Sequence, residues 1–193
     1  MKAGIKLAQG VGINDADYIT QPTVNGKRTC CHFYSTWRNL ITRCYSQKAL
    51  KKCPTYFDCV VCDDWLYFSK FKAWMETQDW QGKQLDKDLL YPGNKIYSPE
   101  TCVFVDHVTN TFLIDSGSIR GDLPIGVVYS ASKRKYQTQC NSKLIGKSRH
   151  VGYFDNPEDA HKAWEIRKAE VAVYVASIQK DERVAKAILE RFL

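Results

Sequence analysis

Residues 126–154 read GVVYSASKRKYQTQCNSKLIGKSRHVGYF, and their pattern decides the fold of the C-terminal part of the chain. Three short runs, Val127 to Ser130, Tyr136 to Cys140 and Arg149 to Phe154, are separated by polar, turn-prone residues, the layout of a three-stranded antiparallel meander. A helix signal follows at once. Asn156 is placed to cap it, Pro157 suits the first helical position, and Glu158 and Asp159 sit at the positive end of the helix dipole. Ala160, Ala163, Trp164, Val171, Val175 and Ile178 then recur at helical spacing. The meander also carries Lys133, Arg134, Lys135, Lys143, Lys147 and Arg149 without one acidic residue. A helix covering one sheet face leaves the other face free and basic, which is the electrostatic footprint of a nucleic-acid surface.

In order and spacing, Gly126-Val127, Lys135-Tyr136, Gly152-Tyr153-Phe154 and Glu158-Asp159-Ala160 resemble the Apetala/ethylene-response-factor DNA-binding domain, over about residues 124–178. That family also occurs in phage and mobile-element proteins. The resemblance implies a sheet lying in the DNA major groove, which admits a β-ribbon as well as a helix. Strand alternation then turns Val127, Thr138, Cys140 and Val151 toward the helix and Gln137, Gln139 and His150 toward the groove. Glutamine suits a bidentate contact with adenine. Lys133, Arg134, Lys135, Lys147 and Arg149 are the candidate phosphate contacts. Val128 stands where the family usually has an arginine, so its base preference does not carry over.

The remainder of the chain fits an intracellular partner of this kind. The 193 residues are 44% hydrophobic, enough for one compact domain or two small ones, and the net charge is +7. A second acid-free stretch, from Val24 to Phe57, carries Lys27, Arg28, Arg38, Arg43, Lys48, Lys51 and Lys52; it reads equally as a solvated surface or a binding one. No run is long and apolar enough to span a bilayer, and the first residues lack a signal-peptide core. A soluble protein of the cytoplasm, the host's if phage-encoded, is expected, with no membrane partner.

Segments follow from these patterns. Residues 1–28 read as an N-terminal arm, 29–114 as a Cys- and Trp-rich body, and 115–122 as a Gly/Ser-rich linker. The DNA-binding domain runs over 123–179. Residues 180–193 form a short amphipathic helix, on which Val184, Ile188 and Phe192 recur every four residues. In the body, Phe33, Trp37, Leu40, Ile41 and Cys44 share one helical face; Trp65, Phe68, Phe71, Lys72 and Met75 share another, capped by Asp63 or Asp64.

Residues 85–110, LDKDLLYPGNKIYSPETCVFVDHVTN, read as strand, glycine turn, second strand and a short helix from about Val105. With the preceding helices, over about residues 30–114, this order resembles the HNH homing endonucleases of phages. The resemblance places Asp86, Lys87 and Asn94 at the catalytic positions: Asp86 beside the general base, Lys87 at that base and Asn94 in the turn; His107, the only histidine nearby and one helical turn before Asn110, is a further catalytic candidate as a displaced base or ligand. Asp86 and Asn110 would hold a divalent ion such as Mg2+. Active members have histidine where this chain has Lys87. An ammonium group has no lone pair to accept a proton and repels a metal ion, though it suits a phosphate. The resemblance therefore implies an HNH-like ββα module with an impaired nuclease site.

Cys30, Cys31, His32, Cys44, Cys53, Cys59 and Cys62 crowd one third of the chain, and Cys59-Val-Val-Cys62 has nominal zinc-ligand spacing. The two valines favour a strand, where residues three apart face opposite sides, so reduced thiols in the core are preferred to structural Zn2+. The overall expectation is an α+β chain that binds double-stranded DNA. Two alternatives stand beside it: an active metal-dependent HNH endonuclease, and a protein-interaction module with a host protein partner.

Overall fold

A computed structural model describes residues 7–114 and 121–193 and shows an α+β architecture. Its contacts divide the chain into two compact units, Met1–Asp106 and His107–Leu193.

In the first unit, helix α1 (His32–Tyr45) buries Trp37, Leu40, Ile41 and Cys44, the i, i+3, i+4, i+7 stripe of an amphipathic helix. Against this stripe pack Trp65 and, from α3 (Phe68–Glu76), Phe68, Phe71 and Met75. Burying aromatic and aliphatic side chains of this size is worth about 1.5–3 kcal/mol each, so this cluster is the main stabiliser of the unit. The Trp37 indole N–H donates to the Trp65 carbonyl at 2.7 Å, so the polar handle of a fully buried ring is satisfied. Trp65 lies in a 3-10 turn, Asp63–Leu66, rather than in α3 itself. The helix expected from Trp65 onward is interrupted because residue 13 runs beside the chain there: Ile13 N–H donates to Leu66 C=O and Phe68 N–H to Ile13 C=O.

Within the segment read as an N-terminal arm, residues 8–16 thus pack into the unit. Ala8, Val11 and Ala16 pack on the core. The Asp15 carboxylate accepts the Ser69 N–H at 2.8 Å and the Ser69 hydroxyl at 2.5 Å, capping the first turn of α3. Desolvation opposes ionisation of Asp15, but the Ser69 bonds outweigh it and hold the carboxyl below its ordinary range. A hairpin, β1 (Thr23–Val24) and β2 (Lys27–Arg28), closes through Asn25-Gly26, both at positive φ as a type I′ turn requires.

A short helix α2 (Gln47–Lys52) follows α1, and β3 (Val60–Val61) pairs in parallel with β5 (Ile96–Tyr97). The strand β4 (Gln84–Asp86) pairs antiparallel with β6 (Val103–Val105), Leu85 opposite Phe104. Val103, Phe104 and Val105 are all buried, which keeps this β-branched run a strand, and the helix expected from about Val105 starts at His107. That helix, α4 (His107–Leu113), belongs to the second unit.

The second unit holds the meander: β7 (Val127–Ser130), β8 (Lys135–Gln139) and β9 (His150–Phe154) form one antiparallel sheet in that order. Helix α5 (Pro157–Ser177) crosses one face of it, and α6 (Glu182–Phe192) packs on α5. Asn156 caps α5 by accepting the Asp159 N–H at 2.8 Å. Thr138 is fully buried under the helix, and its hydroxyl donates to the Ala160 carbonyl at 2.6 Å. Val184 and Ile188 of α6 are buried, and Phe192 meets Phe112 of α4 edge-on at 4.8 Å. Lys168 ties α4, α5 and α6 together: its ammonium lies 3.7 Å from the Phe112 ring centroid and 4.9 Å from that of Phe192, and donates to the Phe112 carbonyl. Of the stretch read as a linker, 115–122, only Gly121 and Asp122 are among the described residues.

Candidate nucleic-acid interface

The sheet face away from α5 is built by strand register. Val128, Gln137 and Tyr153 form one row across β7, β8 and β9, and Gln139 stands opposite His150. Val128 and Tyr153 are nearly half exposed. The Gln137 amide nitrogen lies 3.1 Å from His150 Nδ1, and the His150 ring lies 4.7 Å from the Tyr153 ring. His150 and Tyr153 are three residues apart yet share this face, because the β8–β9 register shifts between Thr138 and Gln139. The same irregularity leaves Val151 half-buried, where simple alternation turned it under the helix. Tyr153 and Val128 therefore join Gln137, Gln139 and His150 on the face. Alternation counted back from Phe154 was the available signal for Tyr153.

The cations around the face fall into two sets. Lys135 pairs with Asp155 at 3.0 Å and Lys147 with Glu170 at 2.7 Å. Both pairs are exposed and easily exchanged for other anions. Lys133 and Arg134, in the turn between β7 and β8, and Arg149, leading into β9, are exposed and have no carboxylate partner among the described residues. Arg134 takes a left-handed conformation, φ 52°, which tightens that turn. Beside the sheet opens a cleft of about 540 Å3, bordered by Gln139, Asn141, Arg149, Trp164 and Lys168 and, among the described residues, by no acidic one.

In the first unit, Lys87 is buried, not turned toward a phosphate. Its ammonium donates to Asp88 Oδ1 at 2.5 Å and to the Asn94 carbonyl at 2.7 Å, with the Tyr97 ring centroid 5.8 Å away. Asn94 returns two bonds, from its amide to the carbonyls of Lys87 and Ile96, and accepts the Ile96 N–H. Asp86 Oδ1 accepts the N–H groups of Asp88 and Leu89. Together these residues staple the Tyr91–Asn94 turn, whose Gly93 sits at φ 78°. Asp86 thus commits one carboxylate oxygen to two N–H groups, and the Lys87 ammonium is committed to Asp88 and the Asn94 carbonyl. His107, exposed, and Asn110 lie on α4 of the second unit, so each unit carries its own part of the residue set read as catalytic.

Replacing Lys87 by methionine is expected to cost about 2 kcal/mol, since Asn94 C=O loses its donor while half-exposed Asp88 recovers water. Urea unfolding followed by tryptophan fluorescence reads this loss; an unchanged midpoint would show that the staple carries no stability.

Several cysteines are taken up by the core of the first unit. Cys44, Cys59 and Cys102 are buried in the first unit's core. Burial pushes the Cys44 and Cys102 thiols up to about 12, which keeps them protonated in the core. Cys59 is buried and Cys62 half-buried at the two ends of β3, and burial raises the Cys62 thiol as well. Among the described residues no three His, Cys, Asp or Glu side chains come together as metal ligands. No family model, curated protein or solved structure matches this chain.

Proposed function

We propose that this chain binds double-stranded DNA through the outward face of β7–β9, with no competent nuclease site in the HNH-like region. The observation that supports this reading is the face itself. Its row of Val128, Gln137, Gln139, His150 and Tyr153 contains amides, aromatic rings and an aliphatic but no carboxylate, and Lys133, Arg134 and Arg149 flank it. Phosphate contacts from the flanking cations would set position, and base contacts from the row would set sequence. Gln137 and Gln139 offer donor–acceptor pairs matched to adenine in the major groove, and Val128 offers apolar contact to a thymine methyl.

The opposite sheet face is occupied by Thr138, Cys140 and α5, which supports the outward face as the one that meets a duplex. The 3.1 Å contact with His150 occupies one N–H of the Gln137 amide and leaves its oxygen and second N–H for a base.

Gln137→Ala tests base reading. Against the best duplex selected from a random pool, it is expected to lose about tenfold in affinity while leaving binding to unrelated duplex unchanged. Equal losses on both duplexes would make Gln137 a general contact and remove it from sequence reading. A wild-type chain that nicks plasmid in the presence of Mg2+, with the activity abolished in Asp86→Ala, would instead establish the endonuclease. A stable complex with a host protein in a chain that shifts no duplex would establish the interaction module.

A further inference from the structure

The acid-free run Val24–Phe57 has no part in the sheet face, and the fold gathers its second half onto one surface of the first unit. Helix α2 presents Lys48, Lys51 and Lys52, all exposed and spaced three and four residues apart so that they share a side. A 3-10 turn, Pro54–Tyr56, follows directly and delivers Phe57 to solvent, 64% exposed. Lys95, the residue just before β5, donates to the carbonyls of Thr55, at 3.2 Å, and Phe57, at 3.4 Å. That double anchor fixes the backbone beneath the ring. Next to it the β3–β5 pair sets Val60 opposite Ile96, both nearly half exposed. Asp58, at φ 64°, turns the chain from Phe57 into β3 and borders the patch.

A ring held open to water one short turn after a helix that carries three exposed ammonium groups differs in kind from the sheet face. It has no row of amides to read base-pair edges. It has what an unpaired base and its phosphates need: a flat apolar surface to stack on, and positive charge along one side. We propose that this patch binds single-stranded nucleic acid, with Phe57 stacking on an unpaired base and Lys48, Lys51 and Lys52 contacting the adjoining phosphates. Lys95 is a positioning residue for the Phe57 turn. This second site is independent of the duplex-binding sheet.

The test uses the full chain and fluorescently labelled homopolymers, oligo-dT and oligo-rU of about 16 nucleotides, with the polarisation read in the presence of saturating unlabelled duplex. Homopolymer binding that survives the duplex is expected, weakened about tenfold by Phe57→Ala and by the double variant Lys51→Gln/Lys52→Gln. Gln137→Ala should leave it unchanged, so failure of this site and failure of the sheet are read separately. Phe57 is at the surface, and a urea midpoint by tryptophan fluorescence equal to the parent's confirms that the first unit of each variant is folded, since Trp37 and Trp65 lie in its core. The ratio of dT to rU affinity assigns the strand as DNA or RNA. The proposal is overturned if neither homopolymer binds at low salt, if duplex displaces them, or if Phe57→Ala binds as the parent does. It is equally overturned if Phe57→Ala loses only binding to vesicles containing phosphatidylserine.

Discussion

Replacing Gly126 with valine is expected to lower the unfolding midpoint of the second unit by more than about 15 °C. Gly126 sits at φ 80°, where a β-branched residue is strained. A Cβ built there overlaps Cδ1, Cγ and Nε1 of Trp164. The indole cannot retreat easily. His161 stacks on it at 5.6 Å and is itself held by donating Nδ1–H to the Ile125 carbonyl at 3.0 Å, while Lys168 lies 5.6 Å from the ring on its own helix. Left-handed backbone costs about 1–2 kcal/mol and forced overpacking about 1–3 kcal/mol more. Gly146 supplies the control: it is also left-handed, at φ 69°, but a Cβ there meets nothing within 4 Å. Gly146→Val should therefore show the backbone cost alone. Equal losses at the two positions, measured by differential scanning calorimetry, would rule out the Trp164 contact as the cause.

The triple variant Lys133→Gln/Arg134→Gln/Arg149→Gln is expected to weaken duplex binding by about two orders of magnitude at moderate salt. These three side chains are exposed, flank the reading face and spend no charge on a carboxylate among the described residues. Each phosphate contact releases condensed counterions, so removing three should also flatten the salt dependence by about 3 on a log–log plot. Lys135→Gln and Lys147→Gln should cost less, because Asp155 and Glu170 already compete for those ammonium groups. Anisotropy titrations of a fixed duplex at several salt concentrations measure both quantities. Weakening with an unchanged slope would mean that the three side chains act on the fold of the sheet and not on phosphates.

Much of the second unit was legible because its signals are local. The Asn156-Pro157 start of α5, the strand parity of Val127 and Thr138, and the Val184/Ile188 stripe of α6 all follow from neighbouring residues, and each is seen in the fold. The first unit's α1 stripe was legible for the same reason, whereas the second stripe was legible only from Phe68, because α3 starts there and not behind an Asp63 or Asp64 cap. Long-range pairing was not. Nothing in the local sequence around Asp15 announces that it will cap a helix starting more than fifty residues later. Nor does Lys87 announce itself as a turn staple: its role depends on Asn94 C=O being within reach of its ammonium, which only the closed turn provides. The Asn25-Gly26 hairpin is a different case, since that dipeptide is a strong turn signal within a segment whose weak hydrophobic pattern obscured it. The bulge between Thr138 and Gln139 displaced Val151 and brought Tyr153 beside His150, a change that period-two alternation cannot express.

The most direct test of the central claim is the affinity of the full chain for a duplex as salt is raised. Lys133, Arg134, Lys143 and Arg149 have no carboxylate partner among the described residues, and four phosphate contacts correspond to a slope of about −4, against the −5 or so that six sequence-counted cations would give. A log–log slope near −4, reduced to about −1 in the triple variant, is the predicted result. A chain that shifts no duplex at low salt, or binds one with a slope near zero, would contradict it.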